Sequence, residues 1–117
     1  MITNTGRSGT AMILAGYGSI PTFCGIGSGS GVTTVSTTGL IYHVDRNAQT
    51  GSPDTSQLQI VTWTFDFSST EMSGIGLKEF GLFNLASGGT LWHKEGFASI
   101  NFDGSNELQI SLQWLIF

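Results

Sequence analysis

Charge is scarce in this sequence. Lys and Arg number 4 and Asp and Glu 8, so charged residues make up 10% of the 117 positions, against roughly 25% in an average soluble domain. With so few basic side chains and a formal net charge of −4, a surface that tracks phosphates cannot be built, and nucleic acid is not an expected partner. Cys24 stands alone, which excludes an intrachain disulfide and leaves the redox compartment unread. No apolar run approaches the length of a membrane span. Ala11 to Ala15 is too short for a signal-peptide core, and Arg7 alone is a weak basic start. The expectation is synthesis in a cytoplasm, without a membrane partner and without export by that route. Strands do not alternate with long helical patterns either, which argues against a parallel α/β fold, and there is no internal repeat.

What fills the space is small and uncharged. Gly occurs 17 times, about twice its average usage, and Ser and Thr accompany it. Hydrophobic residues at 39% and aromatics at 11% suffice for a core, so the chain reads as one domain over residues 1–117. Soluble monomers usually keep surface charge to resist association. A surface of Gly, Ser, Thr, Asn and Gln suits an assembly in which other protein covers it, although an uncharged secreted β domain would have the same composition.

Along the chain, Thr3 to Gly16 reads as a short helix. Thr3, Asn4 or Thr5 can cap it, Ala11 to Leu14 give it apolar contacts, and Gly16 stops it. Gly6 and Gly9 weaken it by roughly 1 kcal/mol each relative to Ala. Ile20 to Ile26 reads as a strand with Pro21 at its start, and Gly27 to Gly31 as a loop. Leu40 to Arg46 follows as a strand, and Asn47 to Ser56 as a loop. Leu58 to Phe67 is strongly β: Val61, Trp63, Phe65 and Phe67 share a face. Leu58 and Ile60 are out of phase with them, which predicts a bulge or a strand end buried on both sides. Ser68 to Gly74 is a connection, and Ile75 to Asn84 and Thr90 to Phe102 are strands joined across Ser87-Gly88-Gly89. This spacing predicts an all-β fold, an antiparallel β-sandwich or barrel-like domain with one short N-terminal helix.

The last strand alternates most cleanly. Leu108, Ile110, Leu112, Trp114 and Ile116 interleave with Gln109, Ser111, Gln113 and Leu115. Burying those five side chains contributes on the order of 7–15 kcal/mol before chain ordering offsets most of it. Opposed residues must share a face. The expectation is therefore a C-terminal hairpin, Phe97 to Phe117, with Phe102 against Leu108, Ile100 against Ile110, Ala98 against Leu112, and Gly96 making room for Trp114. Gln109, Ser111 and Gln113 then point outward as candidate subunit contacts.

Sites of chemistry are hard to find. Gly25 to Gly31 invites a nucleotide-binding reading, but a β-branched run, Val32 to Thr38, stands where the phosphate-binding helix is needed. No Gly-Lys-Ser/Thr follows. His43 and His93 are the only histidines; His43-Val44-Asp45 could share a strand face, yet two His and one Cys do not form a metal set. No Gly-x-Ser-x-Gly signature occurs, and the acids offer no sharp pair. The expectation is no enzyme, no cofactor and no metal. Trp63, Trp92 and Trp114 with Tyr17 and Tyr42 could form a sugar-stacking platform. Trp63 and Trp114 have core phase, which leaves Trp92 as the candidate for exposure.

The stretch Glu79-Phe80-Gly81-Leu82-Phe83-Asn84-Leu85-Ala86-Ser87-Gly88-Gly89-Thr90-Leu91 resembles a pattern in small bacteriophage virion accessory proteins of the tail-fibre and collar type. In these a Glu-x-Gly-Leu-Phe-Asn stretch precedes a Gly-Gly turn, an aromatic-containing strand and a terminal alternating strand with a Trp. Thr3 to Arg7 and Phe23 to Gly29 are similar to the start of such chains. The resemblance implies a virion protein, assembled in the host cytoplasm, that self-associates, as a homotrimer, and docks on a tail protein or the major capsid protein. The alternatives are a capsid cement protein stabilising the head and a carbohydrate-binding host-attachment module. Within the motif, Gly81 is expected to allow close backbone approach, Leu82 and Phe83 to pin both strand faces, and Gly88-Gly89 to take positive φ. Glu79 is expected to bond to backbone donors or to a neighbouring subunit, with a solvent-facing carboxylate as the alternative. Glu79 and Trp92 join Gln109, Ser111 and Gln113 as interface candidates.

Overall fold

Thr3 opens the helix α1 (Asn4–Leu14): its backbone is extended, and its hydroxyl accepts from the Gly6 amide at 3.0 Å. The same hydroxyl donates to Leu91 O at 2.6 Å, which ties the cap to the strand below. Gly6 and Gly9, costly for the helix alone, have a packing role. A side chain at either would overlap Trp92, so the two glycines let α1 lie directly on that residue. The computed structural model describes residues 1–115, and Ile116 and Phe117, the end of the expected hairpin, lie outside them.

Six strands follow: β1 (Phe23–Gly27), β2 (His43–Ala48), β3 (Ile60–Phe67), β4 (Gly76–Phe83), β5 (Leu91–Asn101) and β6 (Leu108–Leu115). Between β3 and β4 a single helical turn, α2 (Ser69–Met72), interrupts the expected connection. Ser68 and Glu71 cap it reciprocally, and Met72 is driven into the core. One sheet has the order β2-β1-β4-β5 and the other pairs β3 with β6, every pairing antiparallel. The fold is thus an all-β, sandwich-like domain with a short N-terminal helix. Cys24, Ile26 and Leu82 of the larger sheet pack with Trp63, Phe65, Phe67, Ile110, Leu112 and Trp114 of the smaller one.

The C-terminal hairpin does not form. β6 pairs with β3, setting Trp114 against Val61, Leu112 against Trp63, Ile110 against Phe65 and Leu108 against Phe67. Thr62, Thr64 and Asp66 then meet Gln113, Ser111 and Gln109 on the outer face. The facing rule holds at every one of these pairs, and β3 satisfies it better than β5, whose second half mixes Phe97 and Ile100 with Ala98, Ser99 and Asn101. β5 pairs with β4 instead, Gly96 lies opposite Glu79, and Ile100 is 49% exposed. Leu58 is neither bulged nor buried: it is 90% exposed, and Gln59 at φ 68° turns the chain into β3 at Ile60. β2 starts later than expected, at His43, because the amides of Ile41 and Tyr42 donate to the Glu79 carboxylate and not to a neighbouring strand.

Candidate functional site

Glu79 is the most heavily committed side chain of the fold. It stands on β4 between Gly27 of β1 and Gly96 of β5, two neighbours without side chains. Only 1% exposed, its carboxylate accepts from the amides of Ile41 and Tyr42, each at 2.8 Å, and of Gly29 at 3.1 Å. Lys94 Nζ, itself buried, lies 3.3 Å from Oε1. Burial pushes this carboxyl up, but the amides of Tyr42 and Ile41 and the Lys94 ammonium outweigh it and hold the group below its ordinary range. The result is a clamp. Residues 28–42, which contain no helix or strand, are pinned across the face carrying Gly25 and Gly81.

The rest of the Glu79–Leu91 stretch is equally employed. A Cβ on Gly81 would lie 2.8 Å from Leu91 Cδ1 and 3.0 Å from Leu40 Cδ2, so the close approach is real. Leu82 and Phe83 are both buried, on opposite faces. Gly88 and Gly89 take φ of 63° and 77°, as the turn requires. Asn84 Oδ1 accepts from the Thr90 amide at 2.7 Å. From β2, Arg46 lies 3.6 Å over the Phe83 ring and donates to Leu85 O at 2.9 Å and Gly88 O at 2.8 Å.

A second polar group sits where residues 1–3 run beside β5. The Thr3 amide donates to Trp92 O and the Lys94 amide to Met1 O. The Met1 ammonium pairs with Glu95 and donates to Lys94 O at 2.7 Å. Trp114 Nε1 donates to His93 Nδ1 at 3.3 Å, and Nε2 faces both Glu95 Oε1, at 2.8 Å, and the Met1 ammonium, at 3.1 Å. Burial, then the Met1 ammonium, lowers the His93 pKa against the opposing pull of Glu95.

The candidate residues separate into two sets. Gln109, Ser111 and Gln113 are exposed in a row along β6, with Leu115 beyond them. Glu79 and Trp92 are not surface residues. Glu79 takes its backbone donors from its own chain, and Trp92 is 3% exposed beneath α1, so both are withdrawn as contacts. A hollow of about 370 Å³ beside Trp92 is lined in part by Thr5, Ser8, Ser19, Asn84 and Thr90, but the indole ring lies against Gly9. His43 stacks on Phe83 and its Nε2 donates to Asp45 O, not to the carboxylate. Burial pushes the Cys24 thiol up to about 12, so it stays protonated. Among the described residues no group of three or more His, Cys, Asp or Glu comes together as a metal site would require.

The sequence does not single out Arg46 or pair Lys94 with Glu79, and it marks His93 only as one of two histidines too few for a metal set. Lys94 was within reach: registering β4 and β5 around Gly88-Gly89 sets it diagonally across from Glu79 on one face. Nothing local marks Arg46, whose partners lie in β4 and the turn after it; His93 has one local partner, Glu95 two positions on in β5, and the others, Trp114 and Met1, lie elsewhere. The geometry defines a two-sheet β domain with a buried carboxylate clamp and an uncharged outer strand. No protein-family model, curated protein or solved structure matches this chain.

Proposed function

We propose that this chain is a structural protein of a bacteriophage virion, a self-associating accessory component that docks as a homotrimer on the tail or on the capsid. The observation that carries the reading is the stretch Glu79 to Leu91. It resembles the pattern of small virion accessory proteins, and its Glu, Gly, Leu, Phe and Asn each hold a defined position in β4 and the turn after it. Two further features support it: 10% charged residues, and an outer row of Gln109, Ser111, Gln113 and Leu115 with no charged residue of its own, the neighbouring Asp66 of β3 being bonded to Gln109 Nε2. The carbohydrate-binding alternative draws no support from Trp92, because the face a sugar would stack on is covered by α1. The test is mass spectrometry of purified particles together with sedimentation of the purified protein. The chain is expected in the particle and as a species larger than the monomer; absence from particles and a monomeric protein would overturn the reading.

A further inference from the structure

The four outer edges of the two sheets are treated differently by the chain. The outer edge of β3 is covered: Thr50 N donates to Thr64 O at 2.7 Å, and Asp54 and Thr62 exchange two bonds at 2.8 and 2.9 Å. The first half of β5 is covered by residues 1–3. Among the described residues the outer edge of β2 has no strand beside it, but it carries His43, Asp45 and Arg46, charge of the kind that keeps an edge from pairing. Two stretches have neither device. Among the described residues, β6 bonds through its backbone to β3 alone, and the second half of β5, Gly96 to Asn101, bonds to β4 alone. Neither stretch contains a charged residue or a proline, and each exposes an apolar side chain, Leu115 at 51% and Ile100 at 49%.

We infer that these two bare edges are the two halves of one interface between copies of this chain: β6 of one copy adds beside the second half of β5 of the next, joining their sheets. The inference rests on the self-association proposed above and says where it occurs. An unpaired row of N–H and C=O groups is a template for another strand. An edge that meets a different edge makes a head-to-tail contact, and such contacts close into rings when the rotation permits. A trimer built this way uses every bare edge and leaves none over. Absence of charge on both sides means that no ionised group is desolvated by the pairing.

Two variants test it by analytical ultracentrifugation, with far-UV circular dichroism as the check on folding. Ser111→Lys with Gln113→Lys charges the β6 edge, and Ala98→Lys with Ile100→Lys charges the β5 edge, all at exposed positions. Each variant alone is expected to be a folded monomer, with association weakened at least tenfold. An equimolar mixture is expected to give a heterodimer, since one intact edge of each kind remains. Should a double variant lose its strand signal, Gln113→Lys or Ala98→Lys alone replaces it. Self-association of either variant by itself means that like edges pair, and overturns the head-to-tail interface. Wild-type protein that assembles while both variants assemble equally well removes this inference and leaves the proposed function standing; a monomeric wild type removes this inference, and the proposed function falls with it when the chain is also absent from particles.

Discussion

The two sheets are held by unlike means. The β3–β6 pair works chiefly by alternation: indole, phenyl and aliphatic side chains point inward, Thr, Gln, Ser and Asp66 point outward, and the register has no irregularity over its length. The four-stranded sheet is irregular. Its register shifts in both the β1–β2 and the β4–β5 ladders, and it buries Glu79, His93 and Lys94. What the smaller sheet gains by excluding water, the larger one gains by specific bonds that hold a long segment and residues 1–3 in place. Hydrophobic burial is non-directional and tolerates change in shape. A buried ion pair with three amide donors is directional, and removing one member strands the others.

This contrast can be broken from either side. The largest effect is expected at Phe65, fully buried in the small sheet: Phe65→Ala should cost about 3–5 kcal/mol, read as a loss of stability in denaturant unfolding monitored by circular dichroism. A change below about 1 kcal/mol would mean that the interior of this sheet is not the main store of stability. Next comes Glu79→Gln, expected to cost about 3 kcal/mol because Lys94 is left buried without its counter-charge. Here the signature differs from that of Phe65→Ala. Residues 28–42 should become cleavable by protease under conditions where the rest of the fold survives, and Glu79→Leu combined with Lys94→Met should recover part of the stability but not the protection of the segment.

The smallest effect separates the sheets by pH. Below its ordinary value of 6.5, His93 is harder to protonate in the folded chain than in the unfolded one, so its contribution is present above that value and is lost as pH falls toward the lower folded value. Glu79, also held low, contributes above 4.5 and loses that contribution as pH falls through its folded value. Thermal midpoints measured between pH 7.5 and 3.5 should therefore decline toward acid, with Glu79→Gln flattening the lower part of the decline and His93→Gln the upper. Equal profiles for wild type and both variants would show that the polar fixings of the larger sheet do not set its acid response.

The parts legible in the sequence were those decided by near neighbours. Thr3 capped its helix as its side chain allows, Gly88-Gly89 turned the chain, and the alternation of β3 and β6 put Trp63, Phe65, Ile110, Leu112 and Trp114 inside. Glu79 stood out as an acid within an apolar stretch, and backbone donors were one of its expected partners. The burial of Trp92 is not legible in its own strand because it depends on α1, far earlier in the chain, where Gly6 and Gly9 weaken the helix but let it lie on the indole. The expected hairpin of β5 and β6 does not form because adjacency in sequence, a common guide to pairing, is overridden here by the match of β6 to β3.

By itself, then, the sequence determined which residues face inward and where the chain turns, since a period of two and the φ of glycine are properties of short segments. Only the tertiary structure decided which strand lies beside which. Alternation specifies the face of a strand and not its neighbour, and any strand of the same pattern satisfies the facing rule. The choice of β3 over β5 for β6 was made by the whole core, where Trp114 meets Trp63, Trp92 and His93 at once.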